Sequence, residues 1–195
     1  MDKKYRWTVD VDGGGDWGGR TNDDKGIREG LPRILQAFKR SHIKALFFIS
    51  TELLPKYRKE LQEIKSQGHE IGSHGHFHIK YKESWRTEAD KELSEALLTS
   101  FHLKTEGAIE YRAPKFNRGF DGHPYSFRNS HVSLLRHLWA KKEIKRQTII
   151  YLHPFDLVKG DNPPNLFCRV WYSRPKDALA TFNRLLELYP DSYIR

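Results

Sequence analysis

An α/β protein built on a parallel sheet or a β/α barrel is the fold class that this 195-residue sequence predicts. Strand-like and helix-like stretches alternate almost throughout, the order in which parallel strands are joined by helices. Residues of catalytic type also gather just after several of the strand-like runs, at the end where such folds place their sites.

The elements follow in order. Residues 7–12 alternate like a strand and run into Gly13, Gly14 and Gly15, which free the backbone to leave it. Ile27, Leu31, Ile34, Leu35 and Phe38 repeat at helical spacing, with Pro32 acceptable in a first turn. Residues 45–50 form a second strand, 53–67 an amphipathic helix closed by Gly68, and 69–73 a third strand. Thr87 is the expected N-cap of a helix reaching Phe101, and residues 109–112 read as a strand closed by Pro114. Residues 147–153 form another strand and 175–188 a last amphipathic helix.

Composition sets the outer limits. With 37% hydrophobic, 30% charged and 13% aromatic residues the chain should fold, and its length suits one domain over residues 1–195. The longest apolar stretch, Ala45 to Ile49, is far short of the roughly 18 to 20 residues that span a membrane. No apolar region follows Lys3 and Lys4 as a signal peptide requires, so a cytoplasmic location is expected. Cys168 is the sole cysteine, which excludes an internal disulfide and a cysteine cluster and leaves His, Asp and Glu as metal ligands. The net charge of +9 suits an anionic partner, yet the basic clusters at Lys56 to Lys59 and Lys141 to Arg146 are interleaved with acids and read as solvated helix faces. No nucleic acid is expected as a partner.

Chemistry concentrates at four strand ends: Asp10 and Asp12, His74 and His78, Arg112, and His153. Two histidines four apart can reach one metal, although such a pair is also found exposed or packed. An Asp-x-Asp at a second strand end strengthens the metal reading, because two imidazoles and one carboxylate leave a divalent ion a position for water. A calcium loop starting at Asp10 would need a bidentate Glu where Thr21 stands. His76 and His69 read as supporting or structural, and Trp17 and Tyr125 as aromatic residues able either to stack on a sugar or to pack.

These residues carry a family resemblance. Thr8-Val9-Asp10-Val11-Asp12-Gly13 resembles the Thr-Phe-Asp-Asp-Gly signature of polysaccharide deacetylases, the NodB-like carbohydrate esterase family 4. Ser73-His74 to His78 is similar to their His-Ser/Thr-x-x-His motif, Arg112-Ala113-Pro114 to their Arg-x-Pro, and Leu152-His153 to their last leucine and histidine motif. The stretch Gly26 to Arg33 is also similar to the branch that deformylates lipid-linked 4-formamido-arabinose.

The resemblance implies a distorted (β/α)7 barrel and a hydrolase that removes an N-acyl group, N-acetyl first, from an amino sugar of a glycan or a lipid-linked precursor. It implies Asp12, His74 and His78 as ligands of one divalent metal, zinc first, with cobalt, nickel or iron also suited. Asp10 becomes the general base, Arg112 the group that keeps it ionised, and His153 the acid for the leaving amine. Tyr151, Leu152 and Pro114 are the expected substrate-binding residues. A lipid-linked substrate would bring the protein to a membrane face. Two rival readings are a deformylase or small cyclic amide hydrolase on the same site, and a catalytically silent basic module that binds glycan or lipid.

The sequence also departs from the pattern. Trp139 follows Arg136, His137 and Leu138 rather than the Asp-containing motif that tunes the acid histidine, and Asp156 is the candidate substitute. Tyr151 stands where the family's pocket leucine lies, two residues before the histidine. The interval between Pro114 and Thr148 is short for the βα units of a full barrel, so segments between residues 116 and 147 are expected to be missing. An intact mass of 23.0 kDa would overturn that expectation and leave a reduced barrel.

Overall fold

The computed structural model describes residues 5–12, 25–104, 108–114, 125–126, 149–158 and 175–190. Five strands are present among them: β1 (Arg6–Val11), β2 (Leu46–Ile49), β3 (Glu70–Ser73), β4 (Tyr125–Ser126) and β5 (Ile149–Leu152). Helices α1 (Leu31–Arg40), α2 (Leu54–Ser66), α3 (Ser84–Ser100) and α4 (Pro175–Leu188) accompany them. The strands form one sheet in the order β3-β2-β1-β5-β4, and every pairing is parallel. A bridge between Ser73 and Tyr111 continues the parallel pattern beyond β3.

Several expectations are adjusted by the structure. The strand expected over residues 109–112 contracts to that bridge, in which Ser73 N–H donates to the Glu110 carbonyl at 2.8 Å and Arg112 N–H to the Ser73 carbonyl at 2.9 Å. Thr87 is not the cap of α3. The helix begins at Ser84, and the Thr87 hydroxyl donates back to the Glu83 carbonyl at 3.5 Å. A π-helical turn (Gly26–Gly30) leads into α1, and Pro32 sits in the first turn of that helix, where a missing N–H costs nothing. Two 3₁₀ turns, Thr51–Leu53 and Pro154–Leu157, follow β2 and β5. The glycine run at residues 13–15, Trp17, Trp139, most of the 116–147 interval and the basic cluster at 141–146 lie outside the described residues.

The strand pleat separates two environments. Trp7, Val9 and Val11 of β1, Phe47 and Ile49 of β2, Ile71 of β3, and Ile150 and Leu152 of β5 point to the helices and build the main core with Phe38, Leu61, Ile64 and Phe182. Trp7 packs edge-on to Phe38 and Phe182, and its indole N–H donates to the Tyr189 carbonyl at 2.9 Å. The alternate residues Thr8 and Asp10, with Asp12 beyond them, lie on the other face and are equally buried. Polar groups are thereby held inside the sheet's curve rather than in the helix-packed core. Beneath them, at the opposite ends of the strands, Arg6 links Glu70 and Glu110 at 3.3 and 2.6 Å.

On α2, Lys56, Arg58 and Lys59 are exposed, as the charge pattern implied. Among the described residues no helix is long and apolar enough to cross a membrane.

His69 shows how a buried polar residue serves the fold. Its Nδ1 accepts the Ala45 N–H at 3.1 Å, so the imidazole is neutral with its proton on Nε2, and it sits against Phe38 and Phe47. Burial, with the nearby Lys44 charge, lowers its pKa to about 4. The unfolded state therefore binds the extra proton between roughly pH 6.5 and 4, so the stability from neutral His69 is complete above 6.5 and lost as pH falls through that window. Urea unfolding midpoints should drop between pH 7 and 5, and His69→Gln should flatten the slope.

Candidate metal centre and acid–base site

The sheet brings the expected site residues to one end. Asp12, His74 and His78 are buried, and one ligand atom of each lies within 4.8 Å of the others. His78 Nε2 is 3.3 Å from Asp12 Oδ2, and the rings of His74 and His78 are 4.9 Å apart. His74 Nδ1 is 2.8 Å from the Arg112 carbonyl, an acceptor only, so Nδ1 carries the proton and Nε2 keeps its lone pair for a metal. Burial pushes the His74 pKa below the usual imidazole range, against the raising influence of Asp10, which favours the neutral ligand form. Two imidazoles and a carboxylate with this spacing fit a divalent ion with N/O preference.

Asp10 lies one pleat period below Asp12 on the same face of β1. The Arg112 guanidinium donates to Asp10 Oδ1 through Nη1 and to Thr8 Oγ1 through Nη2 at 2.9 Å. Its planar face lies 4.0 Å from the centre of the Phe48 ring, a cation–π contact within the protein interior. Burial pushes the Asp10 pKa up, but the Arg112 charge beside it prevails and holds the carboxyl below the ordinary carboxylate range. Asp10 is thus ionised where solvent is excluded.

His153 reaches the same place from β5. Its Nε2 is 3.7 Å from Asp12 Oδ2. Asp156 Oδ2 accepts the His153 backbone N–H at 2.7 Å and lies 3.4 Å from its Nδ1, while Phe155 stacks on the ring at 4.6 Å. Asp156 therefore places a carboxylate beside the His153 imidazole. The turn that carries these residues rests on the Gly26–Gly30 turn. A Cβ at Gly30 would meet the Pro154 carbonyl oxygen at 1.9 Å, and Arg33 Nη1 donates to the Leu157 carbonyl at 2.7 Å.

The expected substrate-binding residues separate. Tyr151 is half-buried beside His153, with ring centres 5.6 Å apart, and Pro114 is buried against the loop at Gly75. The pleat turns Leu152 to the opposite face, where it is fully buried in the helix-packed core. His76 stands outside the ligand cluster, with its Nδ1 2.9 Å from the Thr51 hydroxyl. Sequence reasoning gave no role to Phe48, Thr51, Phe155, Asp90 or Ser94. Of these only Asp90 and Ser94, polar residues one turn apart on a helix, carry a pattern that could have been noticed.

The fold and this cluster define an α/β protein with a parallel sheet and a candidate metal centre at the C-terminal ends of its strands. Residues 21–109 match the family model described as polysaccharide deacetylase. A peptidoglycan deacetylase from Helicobacter pylori is 31% identical over 80 residues, a stretch covering 36% of this chain and 27% of that protein. A family 4 carbohydrate esterase from Streptomyces lividans, solved with acetate, superposes with a TM-score of 0.62 at 11% identity, covering 99% of this chain and 93% of the other. A polysaccharide deacetylase from Bacillus cereus gives 0.60 at 14% identity, with 100% and 93% covered. A CE4 family pseudoenzyme from Bacillus anthracis gives 0.55 at 15% identity, with 94% and 61% covered.

Residues 21–109 thus resemble polysaccharide deacetylases, and the fold is similar to that of the family 4 carbohydrate esterase structures, as a partial, distorted barrel of the NodB type. The similarity to the 4-formamido-arabinose branch rests on the sequence of Gly26 to Arg33 after Asp10-Val11-Asp12, and no comparison shows that branch.

The tight approach at Gly30 gives a direct expectation. Gly30→Ala should displace the turn after His153 and destabilise the protein by about 1–3 kcal/mol, the usual cost of overpacking, measurable as a lower urea midpoint at unchanged slope.

Proposed function

We propose that the chain is a single catalytic domain that removes an N-acyl group, N-acetyl first, from an amino sugar within a glycan. The observation that carries this reading is the meeting of Asp10–Arg112, His153 and the Asp12–His74–His78 cluster at one buried strand end. The family match and the likeness to a peptidoglycan deacetylase support the substrate class. Asp12, His74 and His78 would hold one divalent ion, zinc first, with cobalt, nickel or iron also suited to the donor set. Such an ion supplies Lewis acidity at the amide carbonyl and makes a water molecule more acidic.

The protein groups do the rest. Asp10, kept ionised by Arg112, accepts the proton of the attacking water. His153, whose Nδ1 faces Asp156 and whose Nε2 faces the cluster, gives a proton to the departing nitrogen, because an amine leaves readily only when protonated. Tyr151 and Pro114 border the place where the acyl group and the sugar would lie. Tyr151 beside His153 is bulkier than the expected leucine, which favours as a second reading a smaller formyl group, on a sugar or a lipid-linked precursor reached at a membrane face.

Acetate and formate released from N-acylated amino sugars distinguish the two. Under the first reading acetate is released, a chelator abolishes release and a divalent ion restores it. Asp10→Asn should lower the rate by about 10²–10⁴ while leaving metal content by elemental analysis unchanged. Parental turnover in that variant, or salt-sensitive glycan binding with no turnover by the parent, would sink the mechanism.

A further inference from the structure

Helix α3 buries an unusual face. Its buried residues are Asp90, Ser94 and Leu98, so two of the three are polar and lie one turn apart. Both are directed at the segment that joins His74 to His78. Asp90 Oδ2 accepts the His76 backbone N–H at 2.9 Å. Ser94 Oγ accepts the Ser73 hydroxyl at 2.8 Å, and that Ser73 oxygen in turn accepts the Gly75 N–H at 3.2 Å. From the opposite side, Thr51 N–H donates to the Gly75 carbonyl and Glu52 N–H to the His76 carbonyl, each at 3.1 Å.

The segment held in this way is not one that the backbone prefers. Gly75 has φ +79° and His78 has φ +44°, the left-handed region that an ordinary side chain enters at a cost of about 1–2 kcal/mol. Glycine at position 75 is also required by proximity, since a Cβ there would lie 2.3 Å from Asp90 Oδ2. Metal ligands tolerate displacements of only about 0.2 Å, so a loop without regular structure needs fixed partners to present two imidazoles to one ion.

We infer that Asp90 and Ser94 are positioning residues for the metal centre, holding the backbone between His74 and His78 so that both imidazoles face Asp12 before an ion arrives. This rests on the metal-centre reading of Asp12, His74 and His78. The two residues touch neither metal nor substrate and act through the backbone of Ser73 to His76. Asp90 also lies 3.5 Å from the Tyr81 hydroxyl, which helps to keep its carboxylate in place.

The test is zinc affinity by competition with a chromophoric chelator, with the cobalt absorption spectrum of the same proteins as a report of ligand geometry. Asp90→Ala should weaken zinc binding by about 10- to 100-fold, as loss of an outer partner to a metal ligand commonly does, and should alter the cobalt spectrum. Asp90→Asn keeps an acceptor for the His76 N–H and should restore most of the affinity. Ser94→Ala should weaken binding in the same direction by a smaller factor. A residue that merely stabilised the fold would lower the unfolding midpoint without changing zinc affinity in the folded protein. Parental affinity in both folded alanine variants overturns the inference; should Asp90→Ala fail to fold, parental affinity in Ser94→Ala alone overturns it. A parent protein that binds no divalent ion refutes the metal-centre reading itself and this inference with it, a result distinct from failure in the variants alone.

Discussion

The buried contact between Arg112 and Asp10 is the constraint on which the site is built. Arg112 has almost no solvent exposure and is engaged by both side chain and backbone: its guanidinium meets Asp10 and Thr8 on β1, its face covers Phe48 on β2, its carbonyl accepts from His74 and its N–H donates to Ser73. One residue thereby ties Asp10 of the first strand to the loop that carries the histidines. A buried carboxylate without that partner would carry an uncompensated charge, a loss of about 3–5 kcal/mol in comparable cases. The same contact decides the ionisation of Asp10, because the guanidinium charge outweighs a burial effect that alone would favour the neutral acid.

The two faces of the sheet have separate tasks. The helix-facing residues supply an apolar core with no chemical function, and Leu152 belongs to it although its neighbours Tyr151 and His153 do not. The inner face collects Thr8, Asp10 and Asp12, whose burial would be costly without partners: Thr8 and Asp10 share the Arg112 guanidinium, and Asp12 faces His78 and His153. Gly30 lets one turn approach the Pro154 carbonyl beneath His153, and Gly75 lets Asp90 approach the ligand loop.

Sharing a scaffold does not decide activity, and one fold neighbour is described as a CE4 family pseudoenzyme. What distinguishes a reactive site from an inert one is the local arrangement of its charged groups. In this chain the close pairs at the candidate site come from residues far apart in sequence, Asp10 with Arg112 and His153 with Asp12.

Much of this was legible in the sequence. The alternation of elements gave the parallel α/β class, the helices at residues 31–40, 54–66 and 175–188 fell close to their expected bounds, and the four motifs identified the residues that meet at the site. These signals are local, because periodicity and motif spacing report on neighbours along the chain. Other features depended on contacts that spacing cannot express. The start of α3 at Ser84 ahead of the Thr87 cap signal, the reduction of residues 109–112 to a bridge, and the side taken by Leu152 were settled by packing across the sheet. The contacts of Asp90 and Ser94 with the Ser73–His76 segment and of Phe155 with His153 were also not readable, since even the one-turn spacing of Asp90 and Ser94 does not say what they face until the chain is folded. Sequence alone determined which groups the chemistry requires; the tertiary structure decided which of them meet, because the energies of buried charge and close packing depend on distance in space.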